Sequence, residues 1–170
     1  GEGWVQPQAV IAYKDSLLTM AWNRFTHLKT GPLRDEFEIF KDEQSPWLNP
    51  YSIFEAQKMK DRTVPWQEWG MLATYDDTTV AVAQVMLHTN IEVVKFRQWL
   101  FYRQWQKLHE YAREHDVCII GDLPFFVAQD SADVWANREM FDLDEEGNPR
   151  TVAGVPPDYF SPTGQHWGNP

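Results

Sequence analysis

The chain has 170 residues with 15 Lys and Arg against 25 Asp and Glu, a formal net charge of −10. Proteins that grip phosphates need clustered positive charge to displace counterions. The densest basic run, Lys58, Lys60 and Arg62, is interrupted by Asp61, which argues against nucleic acid and anionic membranes as partners. No stretch nears the roughly 18 consecutive apolar residues of a membrane span, and Gly1-Glu2-Gly3-Trp4 has neither a basic nor an apolar leader region, so a soluble protein is expected. The lone cysteine, Cys118, excludes an intrachain disulfide and fits a reducing compartment.

In chain order, residues 7–62 read as helical. Val10, Tyr13, Leu17, Met20 and Ala21 recur at the spacing of one helix face, continued by Leu28, until Gly31-Pro32 stops it. Leu33, Phe37 and Phe40 mark a short amphipathic helix, and Ile53 and Phe54 head another after Asn49-Pro50. Residues 63–77 are irregular. A second long helix is predicted from near Thr78, with a strand as the rival over 79–83, where apolar and polar residues alternate. After Ile91 the stripe Val94, Phe101, Trp105, Leu108 and Ala112 fixes the helical reading.

Next comes Val117-Cys118-Ile119-Ile120, a continuous apolar run ended by Gly121-Asp122-Leu123-Pro124. A strand apolar on both faces belongs to a parallel sheet covered on both sides, and a helix leading into it is half of a βαβ unit. One such strand makes no sheet, so its partners are expected outside these residues. The chain also starts without Met and stops within a Gly/Pro-rich loop, and a piece of a longer protein is expected.

Asp122 stands where α/β barrels carry their chemistry, at a strand's C-terminal end, although an Asp there also closes turns. Asp130 and Asp133 read as an N-cap and an acidic third residue of a helix rather than as an acid/base pair. Asp142, Asp144 and Glu146 with Gly147 imitate a calcium loop, but its twelfth position is Ala153; a hairpin over 146–149 is the better reading. The five histidines and one cysteine show no metal-ligand spacing, so no metal and no cofactor is expected. Cys118 reads as a buried thiol. No nucleophile elbow or phosphate loop is present.

The closing segment carries Asp158-Tyr159-Phe160 after Pro156-Pro157, then Gly164-Gln165-His166-Trp167-Gly168-Asn169. Flat rings edged by amides and carboxylates suit a sugar, which has apolar C–H faces and a hydroxyl rim. Anchoring of the loop to the body is the alternative use of the same aromatics.

Taken together, the stretches 119–128, 130–137, 152–160 and 164–170, with the helix 96–105 before them, resemble the amylomaltase family. These are the 4-α-glucanotransferases, or disproportionating enzymes; the match is looser over Trp47-Leu48 and Trp66-Gln67-Glu68-Trp69. The resemblance implies an α/β fold, a fragment of a (β/α)8 TIM barrel. Residues 1–90 would form a mainly helical insertion subdomain. Residues 91–170 would give a barrel helix, a buried strand at 117–123 and loops of the active-site rim. It implies transfer of α-1,4-glucan segments between maltooligosaccharides with retention, through a nucleophile and an acid/base carboxyl roughly 5 Å apart. The family's catalytic carboxylates would lie outside this chain. By the same resemblance Asp122 has a supporting role, and Asp158, Tyr159, Phe160, Gln165, Trp167 and Asn169 bind substrate. A cytoplasmic or plastid location and a non-catalytic glucan-binding module as the rival function complete the expectations.

Overall fold

The computed structural model describes residues 3–170. Among them are helices α1 (Pro7–Thr26), α2 (Pro32–Glu43), α3 (Ser45–Lys58), α4 (Asp77–Met86), α5 (His88–Glu114) and α6 (Ala132–Ala136), with strands β1 (Gly154–Val155) and β2 (Gln165–His166). Prolines start α1, α2 and α3, where a missing N–H costs nothing and φ is already helical. Asp76 caps α4, its carboxylate accepting from the Thr79 N–H at 2.7 Å. None of these helices is long and apolar enough to cross a membrane.

Two apolar clusters hold the helices. Phe25, Phe37, Phe40, Leu48, Phe96 and Trp99 form one; Ile53, Phe54, Ala56, Trp66, Trp69, Leu72, Ile91, Val134 and Trp135 belong to the other. Helices α3 and α5 contribute to both. Buried indoles keep their N–H groups satisfied: Trp135 donates to the Leu72 carbonyl at 2.9 Å and Trp66 to that of Gln129 at 2.9 Å.

Several expectations are corrected. The strand rival over 79–83 is not adopted, because Thr79 and Ala83, four apart, share the buried face of α4. The single long helix predicted from Thr78 is broken at Leu87, whose φ of −124° and ψ of 8° leave the helical region while its side chain is buried. In α1, Val10, Tyr13, Leu17 and Met20 are exposed and only Phe25 is buried. The α5 stripe is likewise divided: Val94 and Ala112 are covered, Phe101 and Leu108 are not.

The largest departure is the expected buried strand. Residues 117–123 carry no ladder partner, Ile120 and Leu123 are 93% and 87% exposed, and Cys118 is exposed. A strand exists through its neighbours' N–H and C=O groups, and none among the described residues lies alongside. The barrel itself is therefore not seen, and the only sheet among the described residues is the β1–β2 pair.

The hairpin expectation holds in outline. Leu143 and Pro149 form an antiparallel bridge, and the Asp144 carboxylate accepts from the Asn148 N–H at 2.7 Å. That bond holds its carboxyl below the usual carboxylate range. Gly147, at φ +86°, lies against the Trp66 ring, which an added Cβ would overlap. Gly147→Ala therefore combines a left-handed backbone with an overpacked indole and is expected to cost roughly 3 kcal/mol in urea denaturation. In a Trp66→Leu background, itself destabilised by the loss of a buried indole, the added cost of Gly147→Ala should be smaller.

Lys95 on α5 is 7% exposed, its ammonium donating to Asn49 Oδ1 at 2.8 Å. Burial pushes its pKa below the ordinary 10.5, opposed by Glu92. The unfolded chain thus holds this proton more tightly, so stability rises with pH through the window ending near 10.5, and the penalty is complete below it. Lys95→Met should raise stability at neutral pH and flatten that rise in denaturation curves at several pH values.

Candidate functional site: an aromatic rim on a short hairpin

Strands β1 and β2 pair antiparallel, Gly154 opposite His166 and Val155 opposite Gln165. The ladder is extended by Trp167 N–H to the Ala153 carbonyl at 2.9 Å and Ala153 N–H to the Asn169 carbonyl at 2.8 Å. Between the strands, Asp158 organises the loop: one carboxylate oxygen accepts from the Phe160 N–H at 2.9 Å and the Ser161 N–H at 2.7 Å. Ser161 in turn donates its hydroxyl to the Gly164 carbonyl at 2.7 Å.

This frame presents rings outward. Tyr159 and Phe160 meet edge to face at 5.5 Å and are 95% and 87% exposed. Trp167 is 47% exposed, its N–H donating to Gln165 Oε1 at 3.1 Å. A cavity of about 300 Å³ is lined by Val152, Gly154, Val155, Pro156, Gln165 and His166. A larger one of about 570 Å³, between the end of α5 and residues 116–119, shares no residue with the rim.

The expected site residues thus separate. Gln165 and Trp167 are brought together, and Tyr159 and Phe160 stand at the loop tip. Asp158 is committed to the loop's backbone. Asn169 donates its amide to the Val127 carbonyl at 2.7 Å, tying the rim to the segment before α6. Asp122 lies in the exposed 117–123 run, and no hydrogen bond joins it to the rim among the described residues. Sequence reasoning missed Phe126, whose ring lies 5.7 Å from that of Trp167; the adjacent apolar pair Phe125-Phe126 was its only signal. The expected cap at Asp130 is also displaced. Ser131 caps α6, accepting from the Val134 N–H at 3.3 Å, because Asp130 pairs with Lys58.

A family model described as 4-alpha-glucanotransferase matches residues 2–170. The chain belongs to that family. It is 42% identical over 170 residues to a 4-alpha-glucanotransferase of Thermus thermophilus, covering 99% of this chain and 34% of the relative. It is 38% identical over 162 residues to the chloroplastic/amyloplastic 4-alpha-glucanotransferase of Solanum tuberosum, covering 92% and 28%. Among solved structures it resembles an amylomaltase from Streptococcus agalactiae in complex with acarbose, with a TM-score of 0.83 and 34% identity over 94% of this chain and 32% of that one. The chain spans about a third of the length of these relatives. Its fold is consistent with that portion of an amylomaltase.

Gly164 is the residue on which the loop turns: φ is +73°, and a Cβ there would stand 2.6 Å from the Val155 carbonyl oxygen. Gly164→Ala is expected to cost roughly 1–2 kcal/mol and to speed hydrogen exchange at the Ala153 and Trp167 amides, while the amides of α3 and α5 keep their protection.

Proposed function

We propose that this chain serves a 4-α-glucanotransferase, which transfers α-1,4-glucan segments between maltooligosaccharides by retaining double displacement. In that reaction a carboxylate attacks the anomeric carbon as an acid/base carboxyl protonates the leaving oxygen; the hydroxyl of an acceptor sugar then displaces the carboxylate while giving its proton back to the acid/base residue. Both carboxyl groups would come from sequence outside residues 1–170, within a (β/α)8 barrel that residues 91–170 enter and residues 1–90 cover as a helical insertion. No cofactor is required.

The observation that carries this reading is the rim itself. Tyr159, Phe160 and Trp167 offer exposed faces to the apolar sides of glucose units, and Gln165 sets a polar edge beside the indole. Asp158 and Asn169 hold those rings in place from within, and Asp122 supports the centre. A loop of this kind over a glycosyl-enzyme favours acceptor over water by excluding solvent. A cytoplasmic location is proposed, with a plastid as the alternative that relatives named chloroplastic/amyloplastic support.

The test is a chimera in which this chain replaces the matched third of the Thermus thermophilus relative. It should disproportionate maltotriose, and Trp167→Ala within it should weaken maltooligosaccharide binding roughly tenfold, about 1.4 kcal/mol, with the melting midpoint unchanged. The 170-residue chain alone should show no turnover. Turnover by that chain, or a folded but inactive chimera, rejects the proposal.

A further inference from the structure

Lys58, the last residue of α3, is 4% exposed. Its ammonium donates to the Val64 carbonyl at 2.7 Å and to the Asp130 carboxylate, and it lies 5.8 Å and 5.7 Å from the ring centroids of Phe54 and Trp69. An apolar side chain among those rings would pack the helices as well without the desolvation of a charge. Packing therefore does not account for a lysine here, whereas fixing one placement of Asp130 does.

Asp130 ends a strip in which nearly every residue is held. Gln129 accepts from the Trp66 indole through its carbonyl and donates its side-chain amide to the Gly147 carbonyl at 2.6 Å. Val127 accepts from Asn169. Phe126 packs against Trp167, the two rings tilted at 58° with centroids 5.7 Å apart. The strip thus runs from a buried cation in the helical body to the indole of the rim, and the ion pair is its anchor at the far end.

We infer that Lys58, through Asp130, is a positioning residue that sets the pose of Trp167 in the rim. The inference rests on the sugar-binding reading of that rim only for its functional consequence. Lys58 touches no substrate; it acts by keeping the 126–130 strip in one register against α3 and the Trp66 turn.

The experiment incorporates 5-fluorotryptophan into the 170-residue chain and follows Trp167 by fluorine NMR, its signal assigned by its loss in Trp167→Phe. Lys58→Met and Asp130→Ala should each shift or broaden that signal, while Asp130→Asn, which keeps an acceptor for the ammonium, should leave it near its original position. In the Thermus thermophilus chimera the first two should raise KM for maltotriose roughly fivefold with kcat within about twofold, the pattern of lost binding rather than lost chemistry. Should Lys58→Met fail to fold, Asp130→Ala, altered at the half-exposed end of the pair, carries the test. An unmoved Trp167 signal in the folded variants overturns the inference. An inactive chimera with a Trp167 signal that still moves rejects the transferase reading and leaves the tether standing.

Discussion

The packing of α3 against the first half of α5 is the contact on which the remaining structure depends. Leu48 of α3 shares a cluster with Phe96 and Trp99 of α5, whereas Ile53, Phe54 and Ala56 share the other with Ile91. The two helices therefore pass in opposite directions through both cores. Helix α3 contains Pro50, which removes one internal hydrogen bond, and helices this short draw their stability from tertiary contact. From its far end α3 supports α6, through Phe54 against Trp135 at 5.9 Å, and the strip before it through Lys58. The β1–β2 pair, two residues to a strand, is too small to stand alone; its order is borrowed through Asn169, Phe126 and their anchors.

What this body leaves uncovered is as regular as what it buries. The 10–20 face of α1, the 101–111 face of α5 with Phe101 stacked on Trp105 at 6.3 Å, and the 117–123 run all present large apolar side chains to solvent. Contiguous apolar surface on this scale marks places where other structure packs. In the proposed barrel the last two have natural partners: the run would gain ladder neighbours and the α5 face would lie against them. The same stretch that reads as a buried strand in the sequence is thus exposed here for a physical reason. Its hydrophobicity records an environment that these residues do not themselves provide.

That distinction marks what the sequence could reveal. Proline starts, the cap at Asp76 and the turn at Asp144 are local bargains between a residue and nearby backbone, and of these the 146–149 turn was anticipated from the sequence. Asp130 was misplaced because its partner, Lys58, lies 72 residues away, beyond any local rule. Leu87 breaks a helix whose periodicity gives no warning, since its burial in the core outweighs helical continuity. The site residues were nameable through motif resemblance, but the motif did not tell which of them face outward. Phe126 escaped notice because an apolar residue next to another phenylalanine carries no polar signature, and its significance is its contact with Trp167.

The division among the rim residues bears on how such a surface would recognise its ligand. Its firmest polar groups are spent internally: Asp158 on two backbone N–H groups, Asn169 on the Val127 carbonyl, Gln165 Oε1 on the indole N–H. Rings held this way offer faces rather than a dense set of hydrogen bonds. Every unit of an α-1,4-glucan presents the same apolar face, so a ring selects for glucan as a class and discriminates weakly between chains of different length. Polar groups aimed outward would instead reward one fixed hydroxyl pattern and penalise a ligand that slides by one unit. In the proposed transferase, rigid rings with internally satisfied supports would give grip without register, and register would be left to the carboxylates that the proposal places outside residues 1–170.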